Sequence, residues 1–109
     1  MASTEPLLAD PLKATMAEMA RTTKEAKAAL SVTDPATFDA ILKAYAGEGR
    51  AGMALFPGGS AKGQDLRTRF SKFAATADAA RQPSTTPARF RAAFGSLVSE
   101  CRSCHSAYK

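Results

Sequence analysis

The chain has 109 residues, a formal net charge of +5 and no tryptophan, a length that suits one domain with one core. The positive balance is moderate and scattered, which suits acidic partners or simple solubility and argues against nucleic-acid binding. No run approaches the ~18–20 consecutive apolar residues of a membrane span.

Abundant alanine and scarce β-branched residues predict a helical chain. Residues 1–10 read as a loose N-terminal arm. Their opening, Met1-Ala2-Ser3-Thr4-Glu5-Pro6, has neither the basic n-region nor the apolar core of a secretory leader. Asp10-Pro11 then supplies a cap and a first-turn proline. Leu12, Met16, Met19, Thr23, Ala26 and Leu30 recur at spacings of four and three, which predicts a first helix over 11–30.

Asp34-Pro35 repeats the start signal, and Phe38, Ile41, Leu42 and Tyr45 continue an apolar face. Gly47, Gly49 and Gly52 follow, each costing about 1 kcal/mol against alanine inside a helix. They predict either a frayed or kinked second half, or a backbone lying close to a flat cofactor. Pro57-Gly58-Gly59-Ser60 ends this helix, and 57–63 is expected to be the longest loop. A third helix is expected over 64–82, with Leu66, Phe70, Phe73, Ala77 and Ala80 on one face. After Pro83-Ser84-Thr85-Thr86-Pro87, in which Thr86 can cap, a fourth helix runs almost to the end on a stripe of Phe90, Phe94, Leu97, Cys101, Cys104 or His105, and Tyr108. Four amphipathic helices with mostly short connections predict an all-α, antiparallel four-helix bundle over 11–109, a fold that builds cofactor sites between facing helices.

The chemistry is concentrated in Cys101-Arg102-Ser103-Cys104-His105. Cys-x-x-Cys-His is the signature of covalent c-type haem attachment. Two thiols one helical turn apart reach the two vinyl groups of one porphyrin, and the adjoining imidazole becomes the proximal ligand of iron. Three other readings of the spacing stand beside this one. A redox dithiol wants a βαβ context and a helix N-terminus. A zinc site wants about four ligands. A disulfide between residues three apart on one helix has poor geometry.

This run, together with Phe90-Arg91-Ala92-Ala93-Phe94-Gly95 upstream and Leu55-Phe56-Pro57-Gly58-Gly59-Ser60 at the end of the second helix, resembles the class II c-type cytochromes, the cytochrome c′ and cytochrome c-556 family. The likeness covers nearly the whole chain. It implies a left-handed four-helix bundle with haem c near the C-terminal helix, often a homodimer in bacterial periplasm, with the leader already removed. It also implies a helix-1 residue at the sixth position of iron. That residue is a methionine in low-spin electron carriers, and an apolar cover in high-spin members that bind NO or CO. Two departures stand out. Lys109 occupies the place of a common arginine four residues after the histidine, and Leu12 that of an arginine one turn before the sixth-site residue.

His105 is the only histidine, so two histidines of this chain cannot ligate one iron. Met16, Met19 and Met53 are the axial candidates, with Met1 set aside as a terminus. Family spacing measured back from Phe56 favours Met16 over Met19. Core filling is the competing role for such a methionine stripe. The expectation is a periplasmic one-electron carrier with His105 and Met16, or Met19, on the haem iron, working with redox partner proteins. The alternative is a five-coordinate haem that takes NO or CO. The chain shows no paired acid and base and no nucleophile, so it does not read as an enzyme.

Overall fold

The computed structural model describes residues 11–57, 59–81 and 85–108. The helices begin where the sequence supplies caps. Asp34 accepts the Ala36 amide at 3.2 Å, Ser60 accepts the Gly63 amide at 3.1 Å and Thr86 accepts the Arg89 amide at 3.2 Å, each occupying an amide that has no partner inside its helix. The resulting elements are α1 (Pro11–Ala29), α2 (Pro35–Ala54), α3 (Ala61–Ala80) and α4 (Pro87–Tyr108). There is no strand among the described residues, and no helix is long and apolar enough to cross a membrane. The expected Asp10 cap and the arm over 1–10 lie outside the described residues, as does Lys109.

Two expectations need correction. The third helix starts at Ala61 rather than 64, because Ser60 caps it and the loop before it is correspondingly shorter. The second helix is neither frayed nor kinked at its glycines. It continues unbroken to Ala54, and two of its glycines, Gly49 and Gly52, face a helix. A Cβ on Gly49 would stand 3.0 Å from the Ala74 Cβ and from the Phe70 carbonyl oxygen, and one on Gly52 would lie 2.4 Å from the Phe70 ring. Glycine is kept here for the close approach of α2 and α3.

Contacts between helices establish the antiparallel order. Across α2 and α3, Arg81 donates to Asp39 at 2.8 Å and Arg50 to Asp78 at 2.8 Å. Across α3 and α4, Thr76 donates to Glu100 at 2.8 Å and Arg69 to Ser103 at 3.0 Å. α2 and α3 form the most extensive interface. α1 packs chiefly on α2 and α4 chiefly on α3, while α1 meets α3 and α4 only sparsely among the described residues. The aromatic core joins three of the helices: Phe38 stacks on Phe90 at 4.5 Å, and Tyr45 meets Phe73 edge-on at 5.4 Å. Tyr45, Phe38, Phe90, Leu42 and Leu97 are fully enclosed. On α1 the buried face is Met19, Thr22, Ala26 and Ala29. Leu30, expected inside, is exposed.

Gly52→Ala should therefore destabilise the fold by about 1–3 kcal/mol through overpacking against Phe70. Gly47, which has nothing within 4 Å of a built Cβ, should tolerate alanine and gain up to about 1 kcal/mol. Urea unfolding of the two variants checks the contrast.

Candidate cofactor cleft

Because α1 packs chiefly on α2 and α4 chiefly on α3, and the two barely meet, a cleft of about 320 Å³ opens between α1, α3 and α4. That volume falls in the ~300–1,000 Å³ range of small-ligand sites. Met16 and Met19 of α1 line it, as do Phe70 and Phe73 of α3 and Cys101, Cys104 and His105 of α4. All five site residues expected from the sequence thus come to one cleft. Met53 does not line it. Met53 is half-buried against the core, and its carbonyl oxygen accepts from Arg67 at 3.2 Å beside that of Phe56 at 3.3 Å, so that one guanidinium covers the end of α2.

The motif does not lie on the fully buried stripe of α4. Phe90, Ala93 and Leu97 are buried, Cys101 and Cys104 are half-buried, and His105 is exposed. Each turn beyond Leu97 moves the face from the core to the cleft edge. Burial pushes the Cys101 thiol up, with Cys104 and Glu100 adding to the effect. Burial also raises Cys104, against the pull of Arg69. Raised thiols late in a helix are the opposite of what a redox dithiol needs. No group of three or more histidine, cysteine or carboxylate side chains placed to hold a metal ion occurs among the described residues. Both cysteines are free.

The arrangement fits a haem. The walls that a flat macrocycle would touch are methionine and phenylalanine, and two thiols stand one turn apart on one wall. Arg69 and Lys72 at the rim supply cations for an amphipathic ligand with carboxylate groups. Sequence reasoning missed Thr68, Arg69, Lys72, Ser99, Glu100 and Ser103 as lining residues. Arg69 and Asp65 read in sequence as an ordinary i,i+4 surface pair. Only the packing of α3 on α4 turns them toward the motif.

There they form a clamp. Arg69 Nε donates to Asp65 Oδ2 at 2.8 Å, and Tyr108 donates its hydroxyl to the same oxygen. Lys62 and Arg69 stand over the Tyr108 ring at 5.4 and 5.7 Å, within cation–π range. The hydrogen bond from Tyr108, followed by that from Arg69, holds the Asp65 carboxyl below its ordinary 3.8. A lowered carboxylate contributes stability above its unfolded value, and this contribution is lost as pH falls through the folded one. Wild-type protein should accordingly lose thermal stability below pH 3.8 more steeply than Asp65→Asn, as read by melting temperature against pH.

A family model described as Cytochrome C' matches residues 10–109. No curated protein and no solved structure matches the chain.

Proposed function

The chain belongs to the cytochrome c′ family, and from that premise we propose that it is a one-electron carrier whose haem is held by Cys101, Cys104 and His105 and faced by the Met16 sulfur. Members of the family carry covalently attached haem c, and the family's partners are redox proteins or gas ligands. The observation that carries the proposal is that Met16 and Met19 line the same cleft as Cys101, Cys104 and His105, so thioether sulfurs from α1 and an imidazole from α4 share one site. The bound haem iron supplies a one-electron couple, and His/Met ligation raises its potential relative to weaker-field sets.

The protein's own part is to bind, orient and shield. Cys101 and Cys104 would hold a haem to α4 through two thioethers, and His105, in the same cleft, would offer its ring nitrogen to the iron. Phe70 and Phe73 keep the inner wall of the cleft apolar. Met16 is half-buried while Met19 is 7 % exposed and part of the core. Met16 therefore assumes the role of ligand more readily, with Met19 as the alternative one turn away. Haem attachment through two thioethers fits a periplasmic setting.

A second reading is favoured by the family's own description. In it Met16 covers the iron without bonding, and the sixth position takes NO or CO. Volume-conserving variants separate the two. Met16→Leu should abolish the far-red sulfur-to-iron band of the ferric protein and make the ferrous form bind CO, while Met19→Leu keeps the band. A wild-type protein that binds CO promptly and lacks the band would establish the gas-binding reading. Haem staining after denaturation should persist in all three and be lost in the Cys101→Ser, Cys104→Ser double variant.

A further inference from the structure

α1 is seated on α2 through two adjacent threonines. Thr22 Oγ1 lies 3.1 Å from the Glu18 carbonyl oxygen and 2.6 Å from Glu48 Oε2. Thr23 Oγ1 lies 2.8 Å from the Met19 carbonyl oxygen and 2.8 Å from the Tyr45 hydroxyl. A hydroxyl carries a single proton but accepts through two lone pairs. If each threonine gives its proton to the α1 carbonyl beneath it, its oxygen is left to accept a proton from α2. Tyr45 has that proton to give, and burial pushes its phenol up to about 12. As a carboxylate Glu48 accepts from Thr22; it has a proton to give only as a neutral acid. Its second oxygen, Oε1, is buried with no hydrogen-bond partner, a place where negative charge is costly.

We propose that Glu48 is a positioning residue: its carboxyl meets Thr22 across the α1–α2 seam, donates to it when protonated, and so fixes α1, with Met16 and Met19, beside the cleft that His105 also lines. Glu48 does not itself line the cleft; it acts through the helix it holds. The parallel relay from Tyr45 through Thr23 ends on the backbone of Met19, so the two relays together set the height and rotation of α1. The charged groups that bear on Glu48 are Arg21, which draws its carboxyl down, and Glu25, which raises it, both from α1; Arg21 is paired with Glu18. Burial outweighs the hydrogen bond and the opposed charges and pushes the carboxyl above its ordinary 4.5.

The sign of the pH dependence follows. A carboxyl raised in the folded state contributes its stability fully below its unfolded value, and loses it as pH rises through the folded one. On ionisation Thr22 turns its proton to Glu48, the Glu18 carbonyl loses that proton, and charge lies beside Oε1 with nothing to receive it. The hold on α1 loosens, and the Met16 sulfur would no longer be kept in place for an iron in the cleft. This consequence rests on the sulfur ligation proposed above.

The test compares ferric holoprotein with Glu48→Gln, whose amide stays neutral and still donates. Two quantities are followed as pH rises from 4.5: the melting temperature and the far-red band. The expected result is that wild type falls by about 5 °C per unit of raised pKa relative to the variant, and that its far-red band fades over the same interval while the variant's stays. Equal melting curves would overturn the proposal, as would a melting difference with no change in the band. A protein with attached haem but no far-red band at any pH would refute the sulfur ligand instead. The rate of CO binding against pH then replaces the band, and a pH step that Glu48→Gln leaves in place overturns the role of Glu48.

Discussion

The close approach of α2 and α3 governs the rest of the molecule. Gly52 leaves room for the Phe70 ring and Gly49 for Ala74, so two helices that would otherwise be held apart by side chains pack backbone to ring. The ring is thereby fixed from behind. Its other surroundings are Phe56, stacked at 6.2 Å, and the cleft, which it helps to line. With this pair as a spine, α1 and α4 are attached to different members of it, and the gap between them is where a planar ligand fits. The cleft follows from which helices touch, before any question of what occupies it.

Most of the fold was legible because helix periodicity and capping are local. Asp34-Pro35 and Thr86-Pro87 start helices where expected, and the apolar stripes of Phe38, Leu42 and Tyr45 and of Phe90 and Leu97 are buried as their spacing demands. The misses share a physical origin. Ser60 reads as loop in sequence because its capping depends on where the chain turns, which a glycine-rich stretch leaves open. Gly49 and Gly52 suggest a fray, a kink or a cofactor contact by sequence, whereas another helix explains them. Propensity counts the entropic cost of glycine in a helix but not the packing it permits. Leu30 fits the period of α1, yet it stands one residue past the helix end at Ala29, where the periodic face no longer points inward.

The cleft was legible in its reactive residues and illegible in their surroundings. Cys101, Cys104 and His105 declare themselves by spacing, and Met16 and Met19 by their place on the first helix. The residues that condition them belong to α2 and α3 and carry no motif. Arg69 reaches Ser103, Tyr108 and Asp65 meet at one end of the antiparallel α3–α4 pair, and Glu48 meets α1 across 26 residues of sequence. Such partners are set by the register of one helix against the next, a quantity fixed by side-chain volumes along the whole interface.

The attachment motif follows the other three helices in chain order, with consequences for how the protein is made. A chain that emerges N-terminus first presents α1, α2 and α3 before its cysteines. The Gly52–Phe70 approach and the threonine hydrogen bonds of α1 lie within these three helices, whereas Phe38 finds its stacking partner, Phe90, only in α4. A chain released early would lack the wall that carries Cys101, Cys104 and His105, together with the Phe90 ring on which Phe38 stacks.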